Sequence, residues 1–396
     1  MARRPARARS SASPSARPPQ AASAPPPGRE PAATGSRARA AAAEAPPVLV
    51  EVTRGDRVES RHRGWLTVMS AAGKAVASVG DPRTVAYIRS SAKPFQLAPF
   101  VASGRFDAYD FPAPSEALAI MAASHAGEDR HARTVQAVLR AGGLTREVLA
   151  CGTHRPYDRE TAERLIRDGE PPSPLRHNCS GKHAGMALHA KAAGWPVETY
   201  WQPDHPVQQL AIDMVSTLAG VPRAKIPLAT DGCGVVTFGI PLRGLALAFA
   251  RLADPSGVED PTLRSALERI RDAMMAHPEL VGGERRNLDT ALMRAAPGAL
   301  VSKGGAEGVQ AVGIMTGEAG EAGREARGLA IKVEDGDAAH RARNVITVAA
   351  LRELGVLDAA AVEGRLAEFA APPVLDPRGA PSGEMRAAVA LPSADR

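Results

Sequence analysis

A chain of 396 residues with 44% hydrophobic content is long enough for one large folded domain or two modest ones. No apolar run reaches the roughly 18 residues a membrane helix needs, and no apolar segment follows the basic start Met1-Ala2-Arg3-Arg4-Pro5, so neither a membrane span nor a secretory leader is expected. The net charge of +6 suggests a nucleic-acid partner until it is located: residues 1–40 hold 8 Arg, no Lys and 1 Glu, and this net +7 leaves the rest at −1, so no nucleic-acid groove is expected in the body.

Residues 1–46 are of low complexity, with 12 Ala, 8 Pro and 6 Ser in the first 40 alone, and are expected to form a disordered tail that buries no core. Order is expected from Val48-Leu49-Val50-Glu51-Val52, followed by Trp65–Met69 and Ala75–Val79, three short strands separated by turn residues that suggest an antiparallel meander. Helical periodicity then dominates: Phe95–Ala102, Ser115–Ala123, Ala132–Ala141, Glu160–Asp168, Gly185–Ala193, Pro206–Ala219, Pro241–Leu252 and Leu263–His277. Strand-like text returns at Ala299–Ser302, Gly308–Ile314 and Leu329–Val333; residues 341–369 read as further helix, and Gly383–Leu391 as a last strand. Strands at both ends around a helical block predict one α+β domain over residues 47–391, its antiparallel sheet built from both ends of the chain.

Cys151, Cys179 and Cys233 are too few for a disulfide framework, and with no leader expected they point to a reducing, cytoplasmic setting. Arg89-Ser90-Ser91-Ala92-Lys93-Pro94 carries the Ser-x-x-Lys spacing that sets a lysine amine over a serine hydroxyl one helical turn earlier. A desolvated lysine can take the proton of a weakly nucleophilic serine, the logic of active-serine enzymes. The chain has 7 Lys against 42 Arg, so lysine is spent sparingly, and only lysine can act as a base. The plainer alternative is a helix capped by Ser90 with Lys93 in solvent.

Four glycine-bearing segments also read as site loops: Ala123–Glu128, His177–His183, Thr230–Gly234 and Val301–Gly305. Lys303-Gly304-Gly305 follows an apolar strand, where active-serine enzymes carry a lysine edge. Cys179 and Cys233 plus a third donor suit zinc, with His177 or His183 the default third ligand because a lysine must first lose a proton. A reactive thiol beside Lys182 and two inert buried cysteines are the competing readings.

Taken together, Arg89–Pro94, Ala123-Ser124-His125, His177-Asn178-Cys179-Ser180-Gly181-Lys182-His183-Ala184-Gly185-Met186, Thr230–Gly234 and Ser302–Gly308 resemble the rhizobial-type L-asparaginase II family. The resemblance implies a fold like the serine β-lactamases, penicillin-binding proteins and related glutaminases, a homodimer, and hydrolysis of L-asparagine to L-aspartate and ammonia. It implies two serine–lysine pairs, Ser90 with Lys93 and Ser124 with Lys303, and Ser90 as nucleophile. It places zinc on Cys179, Lys182 and Cys233, and assigns Arg89, Asn178, His183 and Asp231 to substrate binding or site shaping. One segment departs from the family: Gly282-Gly283-Glu284-Arg285-Arg286 stands where members read Gly-Thr-Gly-Arg-Phe. The rival readings are a glutaminase, a penicillin-reactive serine hydrolase of the same fold, and a non-catalytic zinc- or amino-acid-binding protein. A base lysine predicts activity that rises toward alkaline pH.

Overall fold

The computed structural model of the protein describes residues 45–317 and 325–392. The chain begins with β1 (Val48–Arg54), β2 (Arg57–Ser70), β3 (Ala75–Val79) and the short β4 (Val85–Tyr87). The helical block follows: α1 (Lys93–Ala102), α2 (Pro114–Met121), α3 (Asp129–Ala141), α4 (Arg159–Arg167), α5 (Ser180–Ala192) and α6 (Pro206–Ala219). Strands β5 (Leu228–Thr230) and β6 (Val236–Pro241) lead into α7 (Leu242–Ala253), α8 (Pro261–Ala276), α9 (Pro278–Val281) and α10 (Leu288–Ala295). The chain then returns to the sheet with β7 (Leu300–Gly305), β8 (Val309–Ile314) and β9 (Arg327–Val333). It closes with α11 (Arg341–Glu353), α12 (Ala359–Glu363), α13 (Ala367–Ala370), β10 (Pro373–Leu375) and β11 (Pro381–Ala387).

The main sheet runs β10-β11-β1-β2-β9-β8-β7, with β3 also paired to β2. Its ladders are antiparallel, and the two chain ends meet as expected, Val50 opposite Ala387 and Val52 opposite Met385. The two halves of β2 differ: Arg57–Arg63 is charged and largely exposed, whereas Gly64–Ser70 is mostly buried and pairs with β9. Helix α7 lies against the sheet so closely that a Cβ on Gly328 would sit 1.8 Å from the Ala246 carbonyl oxygen. Only glycine permits that approach. A second sheet, β4-β6-β5, carries the two turns from which Arg89 and Asp231 emerge.

The helix ends follow elementary capping. Asp260 accepts from the Thr262 and Leu263 amides ahead of Pro261 at the start of α8, and Gly220, at φ +63°, closes α6. The further helix expected over 341–369 is divided into three. Gly355, at φ +71°, breaks it, and Asp358 caps a new start at the Ala361 amide. Apart from Ala45 and Pro46, the expected tail lies outside the described residues. Pro46 is buried, and its carbonyl accepts from Arg63 Nη1 at 3.0 Å.

Candidate active site

Between β4 and α1 the chain makes one 3₁₀ turn, Arg89–Ala92, and Arg89 enters it at φ +49°. A left-handed arginine is strained by about 1–3 kcal/mol, a strain that persists only where the surroundings impose it. Here they do: Arg89 Nε donates to Asp231 Oδ1 at 2.6 Å across the cleft, and Ser91 Oγ donates to the Lys303 carbonyl at 2.9 Å. The turn is thus bolted to both the 231–234 loop and β7. Ser90 sits between these bolts, partly exposed, and its hydroxyl makes no hydrogen bond among the described residues.

Lys93 begins α1 and is completely buried. Its amine meets the Ala123 carbonyl at 2.5 Å, the Ser124 hydroxyl at 2.8 Å and the Asn178 carbonyl at 3.3 Å. The carbonyls can only accept. A neutral amine has two N–H bonds and one lone pair, so with both carbonyls satisfied the lone pair faces Ser124 Oγ. Burial pushes the Lys93 pKa down, toward that neutral form.

The pairing therefore differs from the one expected. Ser90 and Lys93 are neighbours along the 3₁₀ turn, but the Lys93 side chain runs past Ser90 to Ser124, where two carbonyls complete its shell. Lys303 forms no hydrogen bond to Ser124 among the described residues. Its amine donates to the Gly304 carbonyl at 2.8 Å and lies 3.8 Å from Asp289 Oδ2. Burial, with help from the Lys93 charge, outweighs Asp289 and brings the Lys303 pKa down to about 7.

The Asn178 amide side chain contacts His154 Nε2 at 3.1 Å, and its backbone N–H donates to the same nitrogen at 3.0 Å. Asp231 is kept ionised against its burial by Lys182 and Arg89. On the far side of this residue, Cys179 and Cys233 lie within hydrogen-bonding reach of each other, and Lys182 Nζ is 3.1 Å from Cys233 Sγ. The hydrogen bond from Cys233 holds the Cys179 thiol well below its usual pKa despite burial, and Lys93 and Lys182 add to the effect. Burial opposes the Lys182 ammonium, but the two sulfurs and Asp231 outweigh it and raise its pKa.

His183 is fully buried behind this cluster and so has no exposed edge for substrate. Its Nδ1 is 2.7 Å from the Tyr200 hydroxyl, while its Nε2, next to Cys233, has no partner among the described residues. His177, the other default ligand, uses Nδ1 to accept the Cys179 amide at 3.0 Å. Among the described residues no group of three His, Cys, Asp or Glu side chains is arranged to hold a metal. The set that converges is two sulfurs and one amine, with the orphaned His183 Nε2 at its rim.

The divergent segment begins one residue after the Ser124 partner Val281 and packs against Ala126, Glu128 and Asp158. The Ser124 N–H donates to the Val281 carbonyl at 2.9 Å, the Glu284 N–H donates to Glu128 Oε1 at 2.8 Å, and Arg285 grips Asp158 through Nε at 3.0 Å and Nη2 at 2.8 Å. Asp158 in turn donates its N–H to the Ala126 carbonyl. Sequence reasoning passed over Asp158, Tyr200 and Asp289. Asp158 and Asp289 carry one sequence signal, an acidic residue in or before the first turn of a helix, which many surface helices share, and Tyr200 carries none.

The family model described as L-asparaginase II matches residues 50–387. No curated protein matches the chain significantly. Among solved structures, a probable glutaminase from Bacillus subtilis complexed with 6-diazo-5-oxo-L-norleucine overlays with a TM-score of 0.36 at 13% identity, covering 74% of this chain and 84% of its own. A β-lactamase from Burkholderia ambifaria overlays with a TM-score of 0.34 at 14% identity, covering 72% and 91% respectively.

Proposed function

The chain belongs to the L-asparaginase II family of amidohydrolases, and we propose that its substrate is L-asparagine, which it hydrolyses to L-aspartate and ammonia through a serine acyl-enzyme. The observation that carries the reading is Lys93: an amine buried without a carboxylate at hydrogen-bond distance, its lone pair free for a serine hydroxyl. Ser90 is the proposed nucleophile. It is accessible, it has no internal partner to give up, and it adjoins Arg89, the natural partner for a substrate carboxylate. Asp231, paired with Arg89 in the free protein, would take the substrate ammonium.

In the proposed sequence the Ser90 proton passes through the Ser124 hydroxyl to the Lys93 lone pair, and Ser90 Oγ bonds to the side-chain amide carbon. The carbon–nitrogen bond then breaks, and the proton on Lys93 passes through the Ser124 hydroxyl to the leaving nitrogen, which departs as ammonia. Water then attacks the acyl carbon and gives a proton to the same amine; the ester bond to Ser90 breaks, the amine passes that proton to Ser90 Oγ, and L-aspartate leaves. Lys303, titrating near neutrality, is the second amine of the site.

The 2.8 Å bond between Lys93 and Ser124 favours a second reading, in which Ser124 itself attacks. Trapping with the diazoketone analogue of asparagine, followed by peptide mapping, separates the two. An adduct on Ser90, with ammonia release abolished by Ser90→Ala, supports the proposal. An adduct on Ser124 supports the second reading. A folded wild type that releases no ammonia from asparagine refutes both, and release from glutamine at an equal or greater rate refutes asparagine as substrate. The two substrates differ by one methylene, a difference a pocket exploits by only about 1–3 kcal/mol.

With the Lys182 proton displaced on binding, zinc would fit the sulfur–amine cluster in donor chemistry, with Cys179, Cys233 and Lys182 as the proposed ligands. A bound divalent cation would neutralise the thiolates and tie the start of α5 to the 231–234 loop. Metal analysis of the purified protein checks this: about one equivalent is expected in the wild type and none in Cys179→Ser.

A further inference from the structure

Behind β7 lies a polar cluster that the chemistry above leaves unused. Asp289 stands in the first turn of α10, which Asn287 caps by accepting the Thr290 amide at 3.1 Å. Its carboxylate is buried and filled with neutral donors. Oδ1 accepts Ser302 Oγ at 2.7 Å and Gln310 Nε2 at 2.8 Å, and Oδ2 accepts the Gly304 amide at 2.8 Å. Burial is the largest single influence on this carboxyl and pushes its pKa up, but Lys303, the Gly304 amide, Arg343 and the Ser302 hydroxyl together outweigh it and hold the Asp289 pKa below its ordinary value.

An isolated buried carboxylate is expensive unless a cation answers it. The Lys303 amine, 3.8 Å from Oδ2, is the nearest cation. Among the described residues the charged groups that influence Lys303 most are Asp289 from α10, Lys93 from α1, Arg343 from α11 and Cys179 ahead of α5. Arg343 is itself committed to the same strand, donating through Nη1 to the Gly305 carbonyl at 3.1 Å. Among these groups Asp289 is the one carboxylate, set against Lys93 and Arg343 around the Lys303 amine.

We propose that Asp289 is a positioning residue of the amidase reaction, anchoring the Lys303 amine at the rear of the site and compensating its charge there. The role in turnover rests on the amidase reading; the counter-ion role does not. Seven lysines make lysine-selective NMR practical, with the Lys303 signal assigned by its loss in Lys303→Arg. In Asp289→Asn the titration midpoint of the Lys303 signal is expected to fall by about one pH unit or more, because the ammonium loses its counter-ion while Lys93 and Arg343 remain. The acid limb of kcat/KM should move with it. Asp289→Glu, which keeps the charge and displaces it, should hold the midpoint near that of the wild type while lowering kcat.

A midpoint that does not move in folded Asp289→Asn overturns the proposal. If that variant does not fold, Ser302→Ala serves: it strips one neutral donor from the carboxylate, makes Lys303 the stronger remaining partner, and should raise the midpoint. An unmoved midpoint there is equally fatal. A wild type that releases no ammonia would sink the amidase reading alone, and the NMR midpoints would still decide whether Asp289 is the counter-ion.

Discussion

Replacing Gly181 by alanine tests whether the site depends on the seam between α2 and α5. A Cβ at position 181 would stand 2.0 Å from the Ile120 carbonyl oxygen and 2.7 Å from its carbon, both backbone atoms that no rotamer change can move aside. Contacts below 3.0 Å are essentially never seen, so the two helices must part by roughly 1 Å. Alanine gains about 0.5–1 kcal/mol over glycine within a helix, and overpacking costs about 1–3 kcal/mol; the expected net is a loss of about 1–2 kcal/mol. The effect on turnover should be larger. Ser124 follows the end of α2, and Lys182 and Cys179 flank Gly181 at the start of α5, so the shift separates the Lys93 acceptors from one another. Misplacement by about 1 Å can cost about a hundredfold in rate. Gly185→Ala, on the same helix, is the control: the atoms nearest its Cβ would be those of the Met121 side chain, at 3.1 Å, and a flexible thioether can yield. Urea denaturation and ammonia release measured on both variants check the reasoning, which fails if Gly181→Ala keeps wild-type stability and activity or if the two variants lose equally.

The pH profile of kcat/KM for asparagine should rise through neutrality, with an acid limb centred at about 7 where Lys303 becomes neutral. A profile flat from pH 5.5 to 8 would exclude a lysine base. Arg285→Ala should destabilise the fold by about 1 kcal/mol or less at pH 7, since the arginine is 46% exposed, and should lower kcat by loosening the Ala123–Glu128 segment beneath it. The Asp158 carboxyl titrates below its ordinary value in the fold, burial opposing and Arg285 and Thr161 prevailing, so this stabilisation is present above pH 3.8 and fades as pH falls further. Equal loss at pH 3 and pH 7 in thermal melts would refute that account.

The large sheet was legible because its strands carry the signals that burial imposes. The runs Val48–Val52, Ala75–Val79, Gly308–Ile314 and Leu329–Val333 are β-branched and apolar, and the structure pairs them in one antiparallel sheet. The small sheet was not. Residues Leu228–Thr230 are exposed at all three positions and Val85–Tyr87 at two of three, so no alternation marks them. Only β6 is buried along nearly its whole length, and its apolar run merges in the sequence with helix α7. The charged first half of β2 escaped notice for a related reason, being held by pairing with β1 and not by a buried face.

At the site, the sequence identified the participants better than the partnerships. Ser-x-x-Lys does bring the stems of Ser90 and Lys93 together on one turn, which is all that a three-residue spacing can fix. Where the amine comes to rest is settled by acceptors distant in the chain. A buried amine must fill its shell, one hydroxyl cannot do so, and the Ala123 and Asn178 carbonyls draw the Lys93 tip to Ser124. The same argument explains Lys303. Its tip is taken by the Gly304 carbonyl and Asp289, so its charge is governed from behind the strand, by a carboxylate that no spacing in the sequence connects to it. Long side chains with several donors are thus where motif reading loses the partner. Short ones such as Ser91, whose hydroxyl reaches only as far as the Lys303 carbonyl packed against its turn, are placed by the backbone that carries them.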